Sequence, residues 1–413
     1  MTNSEPESLN SGSSTHSIAK APSALSPQES ERWPFYDEVE IAEVTAVLRS
    51  GKVNQWTGQD VADFERQCTR TFQGNHGIAL ANGSVALELA LRAFGIGPGD
   101  EVVVSPRSFV ASAFCVLLVG AKPIFADVDG DSGNITPHTI ARVLTPRVRA
   151  IIPVHLAGWP ADMPSIVSLA AAHDLKVVED CAQAHGAAIG GQSVGSFGDA
   201  GAFSFCQDKI ISTGGEGGFL QFRDQAQYLW AWSFKDHGKN REKASNPSPL
   251  PGEFRWLHDM PGTNWRMPGP QAALGRMQLH KLAQWNDTRR QNARIWCEAL
   301  SHVQGVRIPL PGENLQHAFY KLYFYLDVAE ADASPLRAEI LRRAAGRGLR
   351  VFSGSCSEMY LERAFEHLKL PDCPTARFLG QTSLMVEVHP TLDKNLLTRR
   401  ADCLAGIIRA VLG

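Results

Sequence analysis

The sequence predicts an α/β protein in which helices cover both faces of a parallel sheet, followed by a smaller α+β lobe. Two patterns indicate this fold class. From about Ala79, short Val- and Ile-rich segments alternate with longer amphipathic segments, as in proteins built from parallel strands and crossover helices. From about residue 305 this alternation gives way to one apolar strand and two further helices, which we assign to a separate C-terminal lobe.

Length and composition fit a globular protein with one large core and a second, smaller lobe. The chain has 413 residues, of which 44% are hydrophobic and 20% are charged. The formal net charge of −3 argues against nucleic acid or an anionic membrane surface as the main partner, because both select basic proteins. The longest apolar stretch, residues 111–121, is too short to span a bilayer. We therefore expect neither a nucleic-acid nor a membrane partner.

The eight cysteines are expected to be reduced thiols. None forms a CxxC pair, and no His/Cys spacing is typical of a zinc site, so we expect no metal. The N-terminus has no apolar core of a signal peptide. Both observations favour a cytoplasmic location.

Three segments are predicted along the chain. Residues 1–31 are rich in Ser, Pro, Asn and Glu and are predicted to be a disordered tail, with the fold starting near Trp33. Residues 32–290 are predicted to form the large domain, whose N-terminal part can pack with the small domain. Residues 291–413 are assigned to that small C-terminal domain. Residues 240–264 are rich in Pro and polar residues, which indicates a long functional loop.

The predicted elements follow in chain order. Hydrophobic periodicity separates strands, with period two or continuous apolar runs, from helices with period 3.6. The predicted strands are residues 101–105, 123–128, 150–154, 175–179, 202–205, 218–222 and 320–328. The predicted helices are residues 85–94, 109–120, 163–173, 271–285, 288–300, 336–345 and 393–412.

The first candidate site residue is Asp180, at the carboxyl end of the fourth predicted strand in the segment Glu179-Asp180-Cys181-Ala182-Gln183-Ala184-His185-Gly186. Open α/β sheets bind ligands at this end of their strands. A carboxylate there can pair with a protonated ring nitrogen, as the cofactor pyridoxal phosphate (PLP) requires. Taken alone, the residue is better explained as the cap of a following helix.

The second candidate is Lys209, which follows the strand segment Ala202-Phe203-Ser204-Phe205. A lysine in a mostly apolar pocket has a lowered pKa and can form a Schiff base. Ser204 can donate its hydroxyl to a phosphate. The alternative is a solvated surface lysine, the usual fate of this residue type.

Two further segments suggest phosphate binding. Asn82-Gly83-Ser84-Val85 starts a helix, where main-chain N–H groups and the Ser84 hydroxyl can bind a phosphate, although taken alone an ordinary N-cap is the better explanation. The glycine-rich segment 212–218 lacks the Gly-Lys-Ser/Thr ending of a P-loop. It is better explained as backbone that packs closely beside Lys209.

Taken in order, these motifs resemble a known family. The series Asn-Gly-Ser, Glu-Asp-x-Ala-Gln-x-His-Gly, Phe-Ser-Phe-x-x-x-Lys, Gly-Glu-Gly-Gly and Gly-x-Asn-x-Arg-Met is similar to the DegT/DnrJ/StrS nucleotide-sugar aminotransferases. The resemblance runs from about Trp33 to the C-terminus. It implies the fold type I of PLP transferases, with a mostly parallel mixed sheet between helices in the large domain and a smaller α+β C-terminal domain.

The resemblance also implies roles for individual residues. Lys209 would hold pyridoxal 5'-phosphate and transfer the proton, and Asp180 would pair with the ring nitrogen. Phe109 would stack on the cofactor ring, and Gln183 would contact the side of the ring that carries its oxygen. The residues implied at the cofactor phosphate are Gly83, Ser84, Val85, Ser204 and, from the neighbouring subunit of a homodimer with shared active sites, Asn264. His185 and Arg266 are implied to bind substrate.

The function implied is transfer of an amino group, with glutamate as the expected donor, to a keto sugar for cell-surface polysaccharide or other amino-sugar biosynthesis. Two alternatives are a PLP-dependent sugar dehydratase and a non-catalytic PLP- or sugar-binding regulator. Dehydratase relatives replace the lysine with histidine, and a regulator tolerates its loss, so Lys209 disfavours both. The sequence departs from the family pattern at two places. It has an extra glycine between Thr213 and Glu216, and it has Ala157 where the family usually has an aromatic residue. Trp159 is expected to compensate for Ala157.

Overall fold

The computed structural model describes residues 31–246, 250 and 252–413. The predicted tail therefore lies outside the described residues except at its end, Glu31. That residue is buried, and its carboxylate pairs with Arg400 at 2.7 Å. The ordered fold thus includes Glu31, two residues before the predicted start at Trp33.

A seven-stranded mixed sheet forms the centre of the large domain. In chain order its strands are β1 (His76–Leu80), β2 (Glu101–Val104), β3 (Lys122–Phe125), β4 (Val148–Ile152), β5 (Lys176–Asp180), β8 (Ala200–Ser204) and β9 (Gly218–Phe222). The short strands β6 (Ala188–Ile189) and β7 (Gln192–Ser193) belong to a separate small sheet. The spatial order is β1-β9-β8-β5-β4-β2-β3. The five strands from β8 to β3 are parallel to one another, whereas β9 runs antiparallel to both of its neighbours. This agrees with the mostly parallel mixed sheet that the family resemblance implies.

Helices surround this sheet. In the large domain they are α1 (Glu38–Ser50), α2 (Asp60–Thr71), α3 (Gly83–Ala93), α4 (Ala111–Leu118), α5 (Pro137–Ala141), α6 (Met163–Ala172), α7 (Gln225–Phe234), α8 (Arg241–Ser245) and α9 (Gly269–Leu300). The start of α3 is set by Asn82, whose side-chain oxygen accepts the N–H of Val85 at 3.0 Å, the usual N-cap arrangement. The N-terminus of α3 is therefore fixed beside the sheet edge where β5 and β8 end.

The parallel pairing of β5 and β8 brings the two main candidate segments together. Asp180 at the end of β5 is in register with Ala202 of β8. Residues 205–217, which carry Lys209, connect the end of β8 with the antiparallel strand β9. The candidate carboxylate and the candidate lysine consequently leave the sheet at the same edge.

The small domain is built on a four-stranded antiparallel sheet. Its strands are β10 (Val306–Arg307), β12 (Leu322–Leu326), β13 (Val351–Phe352) and β14 (Ser383–Val386), in the order β10-β12-β14-β13. The helices that pack on it are α10 (Glu330–Gly346), α11 (Pro374–Thr382) and α12 (Lys394–Leu412). Strand β11 (Leu315–Gln316) instead pairs with β6 of the large domain, so the two domains share a sheet.

Several element boundaries differ from the predictions. Residues 271–285 and 288–300 were expected to be two helices, but α9 is one helix of 32 residues that passes through the predicted domain boundary at 290. Its buried polar residues, Asn286, Arg289 and Asn292, sit on the packed face and obscure the apolar periodicity there. The segment 240–264 contains the short helix α8, so it is not loop throughout. None of the helices in the described ranges is long and apolar enough to cross a membrane.

Candidate active site

A cavity of about 540 Å³ opens at the sheet edge where β5 and β8 end and α3 begins. The segment that follows β8 closes one side of it. The cavity is lined by eight of the eleven residues that the sequence analysis selected, namely Gly83, Ser84, Val85, Phe109, Asp180, Gln183, Ser204 and Lys209. Because they come from four separate stretches of chain, their meeting at one cavity depends on the fold.

Asp180 lies at the deep end of this cavity and is only 5% exposed. One carboxylate oxygen accepts the hydroxyl of Ser112 at 2.7 Å, and the other accepts the N–H of Ala182 at 3.1 Å. Ser112 is in turn within 3.1 Å of Ser108. No helix follows Asp180 before Ala188 in the chain, so the helix-cap interpretation does not apply. The two contacts hold the carboxylate in one orientation.

The start of α3 packs against the end of β8 without space for a side chain. A Cβ added to Gly83 would lie 2.5 Å from the Cβ of Ser204. The N–H of Val85 is already used by the Asn82 cap. Because residue 83 is glycine, the N-terminus of α3 lies directly beside Ser204, and Gly83, Ser84 and Ser204 all line the cavity. A helix N-terminus beside a hydroxyl group is an arrangement that binds phosphate groups.

Lys209 extends into the cavity between Asp208 and Tyr320. Its Nζ lies 3.6 Å from a carboxylate oxygen of Asp208 and 5.0 Å from the centre of the Tyr320 ring. The Tyr320 hydroxyl donates to the other oxygen of Asp208. Partial burial works against ionisation of Asp208, but the Lys209 charge and the Tyr320 hydroxyl outweigh it and lower the pKa of that carboxyl.

The extra glycine in the segment after Lys209 forms part of a tight turn. Gly214 and Gly215 both have positive φ, at 83° and 116°, which only glycine adopts readily. The N–H of Gln207 donates to the carbonyl of Gly215 at 2.9 Å. The insertion therefore folds back on the segment that carries Lys209, and does not disrupt it.

Gln183 and Phe109 complete the cavity walls. The side-chain oxygen of Gln183 accepts the N–H of Ala157 at 2.7 Å, which leaves the amide nitrogen as the end available to an acceptor in the cavity. Phe109 is 65% exposed and lies at the entrance. An exposed aromatic ring at a cavity entrance is positioned to stack on a planar ligand.

Ala157 has φ of +57°, an uncommon conformation for a residue with a side chain. It is held there by Gln183 and by the N–H of Tyr320, which donates to its carbonyl at 2.9 Å. Trp159 packs edge-on against His317 with 5.8 Å between ring centres, and it does not line the cavity. Trp159 and Ala157 instead line the same small neighbouring cavity, so the expectation that Trp159 compensates for Ala157 stays a prediction.

A second cavity of about 570 Å³ lies beside the first and includes the small domain. Lys209, Asp208, Gln183 and Phe109 line both cavities. The wall that the small domain gives to the second cavity carries polar and charged side chains, namely Tyr320, Lys321, Arg350, Glu362 and Glu387. A molecule bound here would reach Lys209 from the side opposite to Asp180 and α3.

The structure does not bring His185 into either cavity. Its side chain is fully buried, stacked on Phe203 and Phe205 with ring centres 6.0 and 5.4 Å away. Burial and the nearby positive charges of Lys209 and Arg289 lower its pKa to about 3. The predicted substrate-binding role does not agree with this position. The Nδ1 atom accepts the N–H of Ile211 at 3.3 Å, so His185 supports the Lys209 segment from inside the core.

Asn264 and Arg266 also lie away from the cavity of their own chain. Asn264 is exposed and pairs with Asp236 in an isolated antiparallel bridge. The Arg266 guanidinium pairs with the fully buried Asp236 carboxylate. The structure of one chain therefore does not bring Asn264 and Arg266 to the cavity with the other selected residues.

A buried polar cluster behind the site has the residue types of a metal centre. Ligand atoms of His155, Glu179 and Cys181 lie within 4.8 Å of one another. However, the Glu179 carboxylate accepts three main-chain N–H groups at 2.7–2.8 Å. One of its oxygens also lies 3.1 Å from Nε2 of His155. The His155 Nδ1 accepts the N–H of Ala161 at 3.0 Å. We interpret the cluster as a structural network that fixes the end of β5.

Sequence reasoning missed three side chains that touch the selected residues. Ser112, on α4, contacts Asp180 from 68 positions earlier in the chain, and Tyr320 contacts Asp208 from 112 positions later. No local pattern links such distant positions. Asp208 could have been found, because it directly precedes Lys209 and is a charged residue beside a candidate Schiff-base lysine.

Comparison with known proteins gives a consistent result across sequence and structure. The model of the DegT/DnrJ/EryC1/StrS aminotransferase family matches residues 34–404. A UDP-N-acetyl-3-dehydro-alpha-D-glucosamine 3-aminotransferase from Acidithiobacillus ferrooxidans is 38% identical over 339 residues, which cover 82% of this chain and 84% of the relative. A dTDP-3-amino-3,4,6-trideoxy-alpha-D-glucose transaminase from Streptomyces venezuelae is 34% identical over 385 residues, covering 91% and 96%.

The fold has counterparts among solved structures. The X-ray structure of an aminotransferase from Psychrobacter cryohalolentis is 43% identical and superposes with a TM-score of 0.88. The match covers 92% of this chain and 99% of that chain. The similarity therefore extends over both domains.

Proposed function

The chain belongs to the DegT/DnrJ/EryC1/StrS aminotransferase family, and from this premise we propose that it moves an amino group from glutamate to the keto group of a nucleotide-linked sugar. The chain is a PLP-dependent aminotransferase, as the family is. The observation that carries the proposal is the meeting of Lys209, Asp180 and the N-terminus of α3 at one cavity.

The cavity fits pyridoxal 5'-phosphate by the chemistry of its walls. The close approach of Gly83 to Ser204 makes a small polar cradle at a helix N-terminus, which suits the phosphate. Asp180, fixed by Ser112, suits a protonated ring nitrogen. Phe109 and Gln183 suit the ring face and a ring oxygen. When bound, PLP supplies an electron sink that stabilises negative charge on the carbon next to the transferred nitrogen.

We assign the proton transfer to Lys209. Its Nζ is the amine common to the cofactor cavity and the adjoining cavity, so it can reach a carbon held between them. A free lysine amine can accept a proton from one carbon and return it to another. The Asp208 carboxylate at 3.6 Å, held by Tyr320, stabilises the protonated amine in the intervening state.

We assign to Asp180 the task of keeping the ring nitrogen protonated. A carboxylate that accepts two hydrogen bonds in a buried position attracts a positively charged ring nitrogen. This electrostatic role needs a fixed orientation, which Ser112 and Ala182 provide. Lys209 and Asp180 are thus assigned to opposite ends of the same ligand.

The adjoining cavity is proposed to hold the keto sugar. Its wall of tyrosine, lysine, arginine and glutamate side chains offers hydrogen bonds to hydroxyl groups. Both curated relatives described above carry names that place the amino group at carbon 3 of a nucleotide-linked hexose. We therefore propose a UDP- or dTDP-linked 3-keto hexose as the first substrate to test.

A homodimer with shared active sites is proposed as the working assembly. Supporting it, Asn264 is exposed and does not line its own cavity, and Phe254 and Trp256 expose 73% and 82% of their surface in the preceding segment. Large exposed aromatic side chains are typical of interfaces. A cytoplasmic location is also proposed, supported by the free state of all eight cysteines.

The test begins with the enzyme loaded with pyridoxamine phosphate, the amino form of the cofactor. Adding 2-oxoglutarate should restore the visible absorption of the PLP form and release glutamate. A UDP- or dTDP-linked 3-keto hexose should do the same and release the 3-amino sugar, identified by mass. Restoration by 2-oxoglutarate but by no keto sugar would contradict the proposed acceptor. Restoration by the sugar but not by 2-oxoglutarate would contradict the proposed donor.

A further inference from the structure

The first described residues form a strap over the segment that carries Lys209. This strap, residues 31–36, precedes α1 and is outside every predicted element. Two of its side chains contact the lysine segment. The indole N–H of Trp33 donates to the main-chain carbonyl of Lys209 at 2.8 Å, and the hydroxyl of Tyr36 lies 3.1 Å from the hydroxyl of Ser212. Both contacts join positions 176 residues apart in the sequence.

The Trp33 ring is itself fixed by neighbours from two other elements. It meets Trp285 of α9 edge-on at 5.0 Å and stacks on His389 at 6.0 Å. The Arg289 guanidinium, fully buried, lies 4.9 Å from the Trp33 ring. Arg289 also donates to the carbonyl of Tyr320 at 3.2 Å, next to the ring that faces Lys209. The indole therefore has little freedom to leave the Lys209 carbonyl.

The other end of the strap is anchored to the small domain. Glu31 pairs with Arg400 of α12 and accepts the N–H of Asp393 at 3.1 Å. The hydroxyl of Thr391 donates to the carbonyl of Arg32 at 3.0 Å. The strap consequently connects the small domain, which forms the proposed sugar wall, with the main chain of the lysine.

We propose that Trp33 is a positioning residue for Lys209. By holding the lysine carbonyl, it sets where the side-chain amine stands relative to the cofactor cavity. With PLP bound, the Lys209 amine would condense with the cofactor's aldehyde, forming a C=N bond and releasing one water molecule. Correct placement of the amine therefore strengthens PLP binding. It has no effect on pyridoxamine phosphate, which lacks the aldehyde. The inference rests on the role proposed above for Lys209.

The test compares the affinity of the apoenzyme for these two forms of the cofactor. Trp33→Phe keeps a stacking ring and removes the N–H donor. Trp285→Phe is the matched control, because it makes the same chemical change in the same aromatic cluster without touching the Lys209 carbonyl. Loss of one hydrogen bond corresponds to on the order of a 3- to 10-fold change in an equilibrium. Trp33→Phe should weaken PLP binding by about that factor and leave pyridoxamine phosphate binding within about 2-fold of wild type.

Three results would overturn the inference. They are unchanged PLP affinity in Trp33→Phe, equal weakening of both ligands, and the same selective loss of PLP affinity in Trp285→Phe. If Trp33→Phe does not fold, Tyr36→Phe removes the strap's other contact and should weaken PLP alone, by a smaller factor. Unchanged affinities in Tyr36→Phe would count equally against the positioning role of the strap.

Borohydride reduction of the wild-type enzyme is the separate check on Lys209. Labelling at another lysine would refute the proposed function. Labelling at Lys209, together with unchanged PLP affinity in Trp33→Phe, would refute only the inference.

Discussion

At the scale of single residues, the proposed chemistry depends on two charged groups with different surroundings. Asp180 is buried and held by a hydroxyl and a main-chain N–H. Lys209 is reachable from two cavities and stands beside a second carboxylate, Asp208. A buried, fixed anion and an accessible amine are what an electron-sink cofactor needs at its ring nitrogen and at its reacting carbon.

The role of Asp180 predicts a large effect of a small change. Asp180→Asn keeps the shape and removes the charge, so the ring nitrogen is no longer held protonated. We expect turnover to fall by at least about 100-fold, the scale for loss of one preorganised electrostatic group. Ser112→Ala keeps the charge and loses only one hydrogen bond, so its loss should be about 10-fold or less. Steady-state turnover and thermal unfolding of both variants check this. Near-wild-type activity of Asp180→Asn would show that Asp180 only stabilises the local turn.

Local sequence patterns identified the residues whose neighbours are close in the chain. Asp180 and Lys209 follow buried strands, and this position alone indicated the sheet edge. His185 was misjudged because motif membership does not reveal direction. Its side chain points into the aromatic core and supports Ile211 from there. Ser112, Tyr320 and Trp33 could not have been selected, because their contacts with the site join distant parts of the chain.

At the scale of elements, the phosphate cradle depends on how closely α3 approaches β8. Gly83 makes that approach possible, since any Cβ there would meet Ser204. The N-cap Asn82 sets the helix start, which the sequence already indicated. The distance between the helix and the strand, however, is set by the packing of the whole sheet and is not encoded in either segment.

Gly83→Ala should therefore weaken the cofactor site as a whole. Its Cβ would lie 2.5 Å from that of Ser204, so α3 must shift outward. Overpacking of this kind costs about 1–3 kcal/mol, so we expect affinities for PLP and for pyridoxamine phosphate to fall together, by on the order of 10-fold. Gly97→Ala is the control, since its nearest contact would be an ordinary 3.6 Å. Equilibrium titration of the apoenzymes measures both. A loss confined to PLP, or no loss, would be inconsistent with a phosphate cradle at Gly83.

The long helix α9 shows why element boundaries were harder to predict than element types. Asn286, Arg289 and Asn292 are buried on it, and polar residues at core positions interrupt the apolar period. They serve other segments: Asn286 donates to the carbonyl of His185, and Asn292 to that of His389. Such long-range polar contacts are settled by tertiary structure and leave no local signature.

At the scale of the whole molecule, the proposed homodimer would complete each site with residues of the second chain. Asn264 and Arg266 belong to the motif series but do not line the cavity of their own chain, and both contact Asp236. If the enzyme works as a homodimer with shared sites, defects in Lys209 and in Asn264 belong to different chains of one site. A mixed dimer then has one site with both defects and one with neither.

Mixing inactive Lys209→Ala chains with inactive Asn264→Ala chains should therefore restore activity on co-refolding, at up to half of the sites of each heterodimer. Asn264 is preferred over Arg266, whose ion pair with the buried Asp236 makes its loss riskier for folding. The control mixes Lys209→Ala with Asp180→Asn, two defects on the same side of the site, and should not recover. Heterodimers that form and remain inactive would mean that Asn264 acts within its own chain or that the dimer is built differently.

The central claim is that Lys209 carries the cofactor, and borohydride reduction of the holoenzyme tests it most directly. The chain contains a chemical rival, Lys235, which is fully buried and whose pKa is lowered by that burial, although its Nζ is bonded to Gln55 away from the cavity. Reduction followed by digestion and mass spectrometry should find the cofactor on one peptide, at Lys209, and on no residue of the Lys209→Ala protein. Cofactor fixed to Lys235 or to any other lysine would contradict the account.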